Sequence, residues 1–354
     1  MKAIEFAAPR VAQLVDVAEP AEPGLGEALV RSHSMGVCGT DVSAFMDRFP
    51  FFDFPRIPGH ELGVEVLAVG SGVKGVTVGD RCAVEPYLNC GTCYACCRGA
   101  TNCCPQLSVI GVMENGGLCE RFVIRADKLH SSASLSFEQL ALVETLGIGC
   151  HAIGRAQPEA GERLLIVGVG PIGLAALEFA RLADADITVV DTQASRLAFC
   201  QHNYGIANCV DAAAAGGPEA VAEQLRNLSN GDMYPVVIDA TGSSKAMAAS
   251  IGYVASTGTL VFLGLSRAEI SFPQPIMHKA EIQIRASRNA LPDDFRHIIR
   301  LIDDGAIDTD PWITHRISFA EVANRFESFA RPETGVVKAM IDVAAAAGSY
   351  RQRW

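Results

Sequence analysis

The sequence predicts a two-domain α/β protein in which a doubly wound parallel sheet with crossover helices is inserted into a β-rich domain. Three observations lead there. Residues 1 to about 145 run as short alternating or β-branched stretches (Ala28–Val30, Gly63–Val69, Arg81–Val84, Glu120–Val123) punctuated by Pro and Gly. From Glu162 the texture changes: apolar runs Arg163–Val167, Ile187–Val190, Val236–Ile238 and Thr259–Leu263 alternate with helical patterns at Ile172–Ala183, Ser195–Asn203, Pro218–Leu228 and Ser244–Ala255. After Ile282 the pattern is mixed again. Strand–helix alternation is the mark of a parallel sheet, because only a crossover helix returns the chain to start a parallel neighbour. The expected domains are therefore 1–147 with 285–354, and 148–284, with a cleft between them.

Composition narrows the function. The chain has 354 residues, enough for two domains, and 49% hydrophobic against 19% charged residues excludes a disordered chain. Its net charge of −11 argues against a nucleic-acid surface, which needs clustered positive charge. The longest apolar run, Leu164–Leu177, is broken by glycines and Pro171 and falls short of the ~20 residues of a membrane span. The amino terminus has no signal-peptide-like apolar region, so a soluble cytoplasmic chain is expected.

Gly168-Val169-Gly170-Pro171-Ile172-Gly173 is a G-x-G-x-x-G motif between a strand and a helix, and Asp191 ends the next strand 18 residues after Gly173. Gly168 permits the tight turn, Gly170 lets the backbone approach a pyrophosphate, and Gly173 lets the helix pack closely. Pro171 suits the first helical turn, and the amides there, Ile172 among them, face the phosphates. Asp191 accepts hydrogen bonds from the adenosine ribose and repels a 2′-phosphate, which favours NAD over NADP. Arg196 either stacks on adenine or binds a phosphate.

Seven of the 12 cysteines lie between Cys82 and Cys104. In a reducing compartment such a cluster reads as metal ligation before disulfides. Cys90, Cys93, Cys96 and Cys104 offer four thiolates from one polar loop, the donor set of a structural zinc. Cys97 and Cys103 are adjacent spares that leave the ligand set open, and an iron–sulfur cluster is the alternative occupant.

Gly36-Val37-Cys38-Gly39-Thr40-Asp41 and Pro58-Gly59-His60-Glu61 add a thiolate and an imidazole 22 residues apart. With the cysteine lobe and the glycine motif in this order, the chain resembles the zinc-dependent medium-chain alcohol dehydrogenase superfamily over nearly its whole length. The resemblance implies a GroES-like catalytic domain and a Rossmann NAD-binding domain, with two zinc ions per chain. It implies Cys38 and His60 as catalytic zinc ligands. It also implies Asp41 as the carboxylate holding the His60 tautomer, Thr40 as the hydroxyl that takes the alcohol proton, and Glu61 as a carboxylate able to approach the metal. Glu144 stands where the alcohol dehydrogenase branch has a third, cysteine ligand, as in polyol (sorbitol-type) dehydrogenases; Cys150 is six positions late. Ser43 replaces the histidine of the relatives' proton relay, so the proton leaves by water or another group.

The resemblance thus implies hydride transfer from a secondary hydroxyl of a polyol, sugar or sugar acid to NAD, by a homodimer or homotetramer. A simple-alcohol or threonine-type dehydrogenase is the alternative. Arg288 and Asn289 are candidate substrate contacts, with Arg288 pairing a carboxylate or serving as an ordinary ion pair. Phe45, Phe49, Phe51, Phe52 and Phe54 either wall the substrate cleft or pack a long loop. A zinc hydrolase would use Cys38, His60 and Glu144 but not the glycine motif. A non-catalytic NAD-binding protein would need no complete metal set.

Overall fold

The computed structural model describes residues 1–344; the tail 345–354, expected in the first domain, lies outside the described residues. The chain divides into two compact units, Met1–Thr145 with the segment from Leu291 on, and Leu146–Ala290.

The first unit is built on a seven-stranded sheet. Its strands run in the order Ile313–Ser318, Lys338–Asp342, Glu27–Gly36, Glu61–Val69, Arg81–Val84 and Leu129–Ser132, and Arg121–Arg125 also pairs with Glu27–Gly36. Along Glu27–Gly36 buried and half-buried residues alternate, Ala28, Val30, Ser32 and Ser34 facing inward, as the two-residue period of a half-buried strand requires. Ala28 and Val30 join Leu62, Val64, Val84, Ile124 and Ile341 in one core, to which Phe6 also belongs, packed edge to face on Phe45 and Phe326.

One buried ion pair ties the late strand Lys338–Asp342 into this sheet. Lys338 and Glu61 are each 1% exposed, and the Lys338 ammonium lies 2.7 Å from both Glu61 oxygens and 3.0 Å from Thr145 Oγ1. Gly36 is paired with Glu61 on one side and Met340 on the other. A Cβ on Gly36 would lie 2.1 Å from Glu61 Oε2, so a glycine there leaves room for the carboxylate. Thr145 and Glu144 are carried by a helix, Phe137–Ala156, that the sequence patterns did not single out. Gly63 lets that helix close on the sheet, since a Cβ there would sit 2.0 Å from Phe137 O.

The second unit is a six-stranded parallel sheet. In its own numbering the strand order is 3-2-1-4-5-6: Asn208–Asp211, Asp186–Asp191, Arg163–Val167, Tyr234–Asp239, Val254–Phe262 and Gln283–Ala286. That is the doubly wound dinucleotide-binding order, whose crevice opens where the strand order reverses beside the first strand. The expected helices stand at Pro171–Leu182, Ala194–Tyr204 and Pro218–Leu228. The fourth is shorter than expected. It runs Ser244–Ser250, because Ser250 turns its hydroxyl onto Asp239 (2.6 Å) and the chain passes through a 3-10 turn into a strand starting at Val254. Among the described residues no helix is long and apolar enough to cross a membrane.

Two outcomes follow for stability. Gly63→Ala should cost ~1–3 kcal/mol, because backbone must move to admit one methyl group. Gly154→Ala, on an open face of the same helix, should gain ~0.5–1 kcal/mol, and urea unfolding of both variants measures the contrast. Lys338→Met should cost ~3–5 kcal/mol by leaving the Glu61 charge buried and unpaired, and Glu61→Gln in that background should restore part of it.

Candidate active site and metal centres

Cys38 caps the short helix Gly39–Phe45. Its own amide donates to Asp41 Oδ2 at 3.0 Å, and the Thr40 amide donates to Cys38 Sγ at 3.4 Å. These two contacts fix the position of the sulfur at the helix start. Thr40 is half-buried on the same turn. His60 precedes the strand Glu61–Val69, and its Nδ1 faces Asp41 Oδ1 at 3.5 Å; both atoms are buried and have no hydrogen-bond partner. That pairing orients the ring, leaving the other nitrogen as a donor to a metal.

Cys38 Sγ, a His60 ring nitrogen and a Glu61 oxygen all lie within 4.8 Å of one another. Glu144 is buried beside this group but is not one of the three, and the Tyr87 hydroxyl donates to its Oε1. Cys150 is not among the converging donors. The site gathers anions. Burial alone disfavours a charged imidazole, yet the negative charges of Asp41 and Cys38 push the His60 pKa well above its ordinary value. Burial raises the carboxyls of Asp41 and Glu144; burial also acts most strongly on Glu61, but there the Lys338 ammonium, His60 and the hydrogen bonds of Lys338 and Thr145 together bring it below its ordinary value. Three buried carboxylates, a buried imidazole and a half-buried cysteine sulfur in one place fit a divalent cation such as zinc.

The four-cysteine lobe converges equally well. Cys90, Cys93, Cys96 and Cys104 place their sulfurs within 4.8 Å of one another, and exposed Cys97 and Cys103 stay outside the set. The Cys90 amide donates to Cys104 Sγ (3.4 Å), the Cys96 amide to Cys93 Sγ (3.5 Å) and Asn89 Nδ2 to Cys96 Sγ (3.5 Å). Backbone amides of Thr92 and Cys93 lower the Cys90 thiol to about 6. The Cys96 amide acts to lower Cys93, but burial and the neighbouring cysteines raise it to about 11, as expected of sulfurs this close, and four sulfurs so placed match the donor set of a structural zinc.

In the second unit the glycine motif adopts the expected turn. Gly168 has φ +86°, Gly170 caps the helix that Pro171 begins, and a Cβ on Gly173 would lie 1.9 Å from Gly168 O. Asp191 braces this loop from below: Oδ2 accepts from the Val169 amide and Oδ1 from the Gln193 amide, both at 2.8 Å. Arg196 Nη1 lies 3.6 Å from Asp191 Oδ2, with its guanidinium over Gly170. Four separated residues, Gly168, Gly170, Asp191 and Arg196, are thus one place in the fold.

Other candidates resolve differently. Arg288 is exposed, and Asn289 (φ +52°) follows the last strand with its Nδ2 buried and unpartnered. Phe45 and Phe52 are core residues, Phe49 and Phe54 are half-buried, and Phe51 is exposed, so the packing reading holds for the first two. Lys338 and Tyr87 escaped the sequence reading. The signal for Lys338 was a lone charge in the apolar run Val336–Ile341; Tyr87 gave none.

Comparison with known proteins agrees with this architecture. The alcohol dehydrogenase GroES-like domain family matches residues 24–134, and the zinc-binding dehydrogenase family matches residues 171–304. The chain is similar to L-galactonate-5-dehydrogenase of Escherichia coli K12 (37% identical, covering 90% of this chain and 92% of that one). It is also similar to D-altritol 5-dehydrogenase of Agrobacterium fabrum (35%, 84% and 87%). Among solved structures, an alcohol dehydrogenase of E. coli complexed with NADH superposes with a TM-score of 0.88 at 25% identity, covering 97% of this chain and 99% of that one. With two metal-fitted donor sets in a GroES-like unit and a dinucleotide-type sheet beside them in sequence, the chain belongs to the zinc-containing medium-chain alcohol dehydrogenase family and is a dehydrogenase.

Proposed function

We propose that this dehydrogenase oxidises a secondary hydroxyl of a polyol or sugar acid with NAD, and that Cys38, His60 and Glu144 hold its catalytic zinc. The carrying observation is a buried carboxylate, Glu144, near enough to His60 for each to act on the other's charge; the family resemblance puts it at the sequence position where simple-alcohol enzymes carry a cysteine. The named activities of the galactonate and altritol relatives support the same substrate class. Glu61 also approaches the pair, but Lys338 already engages both its oxygens. Tyr87 takes only Oε1 of Glu144, and the second oxygen is the donor we assign to the metal.

When bound, zinc supplies Lewis-acid polarisation of the hydroxyl to be oxidised, and NAD supplies the hydride acceptor. The chain does the rest. Asp41 fixes the His60 ring, and Thr40 receives the hydroxyl proton from the first turn of its helix. Ser43 continues that helix without a basic group, so the proton passes outward to water. The Gly168–Gly173 loop and the amides of the helix at Pro171 receive the pyrophosphate. Asp191, held by two amides, presents its remaining lone pairs to the ribose hydroxyls, and Arg196 lies over the loop where it can stack on adenine. Cys90, Cys93, Cys96 and Cys104 hold the second zinc and stabilise the lobe.

An NAD-reduction screen tests the substrate class. Polyols and aldonates should be oxidised faster than ethanol, and ethanol in the lead would overturn the reading. Glu144→Ala should lower activity or zinc affinity at least ~10-fold, while Cys150→Ala changes little. Asp191→Gly should narrow the preference for NAD over NADP by ~2 kcal/mol, with weaker binding of both because the loop loses its brace. Equal use of NADP by the wild type would overturn the role given to Asp191.

A further inference from the structure

The base of the cysteine lobe reaches the catalytic site through one side chain. Tyr87–Leu88 pairs antiparallel with Ser108–Val109, three residues before Cys90, so Tyr87 stands on the ribbon from which the lobe springs. It is 3% exposed. Its ring lies edge-on to Phe295 (centroids 6.3 Å apart), and Phe295 stacks on His130 at 5.0 Å. His130 is fixed in turn by Glu85 Oε2 at 3.0 Å, whose other oxygen takes the buried Lys128 ammonium. The ring is therefore held on a rigid wall, and its one polar atom is aimed at Glu144 Oε1. A phenol has one proton to donate, and this one is committed to that carboxylate.

Besides Asp41, two buried carboxylates thus stand by the Cys38–His60 pair, each with its own clamp. Lys338 holds Glu61 with a full positive charge through both oxygens. Tyr87 holds Glu144 with a neutral hydroxyl through one oxygen. The clamps have opposite consequences for a cation. An ammonium held by both oxygens occupies the carboxylate and offsets its charge, whereas a single hydroxyl fixes the carboxylate in place and leaves its second oxygen open.

We infer that Tyr87 is a positioning residue for the catalytic metal: its hydroxyl fixes Glu144 as the carboxylate donor and leaves Glu61 to Lys338. The inference rests on Glu144 as a zinc donor, the reading given above. It assigns the lobe's base a second task besides carrying the four cysteines, since the same two-residue strand sets the position of Tyr87.

Tyr87→Phe keeps the ring and its packing and removes only the hydroxyl. In zinc-loaded protein titrated with a chelator, the catalytic-site affinity should fall ~10-fold, in the range of hydrogen-bond partners to metal ligands. The four-cysteine zinc should be retained, and cobalt placed in the catalytic site should show a shifted visible spectrum. Glu144→Gln should show at least as large a loss, and the double variant should lose no more than Glu144→Gln alone, because both changes act through one contact. Wild-type affinity and cobalt spectrum in Tyr87→Phe, beside a clear loss in Glu144→Gln, would overturn the role of Tyr87 and leave Glu144 as the donor. Additive losses would overturn it too, by showing that Tyr87 acts elsewhere. Unchanged affinity in both variants would overturn the Glu144 reading itself.

Discussion

The first unit depends on keeping several anionic groups buried in one small place. The buried carboxylates of Asp41, Glu61 and Glu144 gather with Cys38 around His60, and each carboxylate carries a desolvation cost that would drive it, if isolated, to neutralise. Lys338 offsets part of that cost, and the geometry that delivers it is spread along the chain. Its strand comes from the carboxy-terminal segment, Gly36 clears the space, and Thr145 accepts a hydrogen bond from the same ammonium. A buried ion pair of this kind adds little net stability over well-packed apolar residues. Its use here is to hold a carboxylate ionised and in place beside a metal-fitted donor set.

Backbone amides perform in the lobe and in the glycine loop what the ammonium performs at Glu61. In the lobe, amides of Cys90, Thr92, Cys93 and Cys96 turn toward sulfur. In the loop, amides of Val169 and Gln193 turn toward Asp191. Both are short segments whose sequence fixes a local turn, and both hold polar groups in position through main-chain geometry. Local hydrogen bonding of this sort is robust to the rest of the fold, which is why these two segments could be recognised from spacing alone.

The substrate question turns on softness of ligand. A carboxylate in place of a third thiolate donates less charge to a zinc, so the ion polarises a bound hydroxyl more strongly and exchanges its oxygen ligands more easily. That chemistry suits substrates rich in hydroxyls, in agreement with the named activities of the galactonate and altritol relatives. The Ser43 substitution fits the same picture only if the outward proton path runs through solvent, since a serine hydroxyl has no basic lone pair at neutral pH.

What the sequence determined by itself was local. The strand–helix alternation gave the parallel sheet, because hydrophobic period and crossover length are written in consecutive residues, and the Gly168–Gly173 and Cys90–Cys104 segments carry their geometry within a few turns of chain. The pairing of Cys38 with His60 was readable only through family resemblance, since 22 residues separate them. Tertiary structure alone decided the rest: that Lys338 crosses to Glu61, that Tyr87 reaches Glu144, and that Asp191 braces the glycine loop through its carboxylate. The helix Phe137–Ala156 belongs there as well, because it is apolar around much of its circumference and shows no polar stripe to mark it. For the three side-chain contacts the physical reason is separation: Lys338 to Glu61, Tyr87 to Glu144 and Asp191 to the Val169 amide join residues tens to hundreds of positions apart, and a side chain's partner across a sheet is set by strand register and order, which no local pattern encodes.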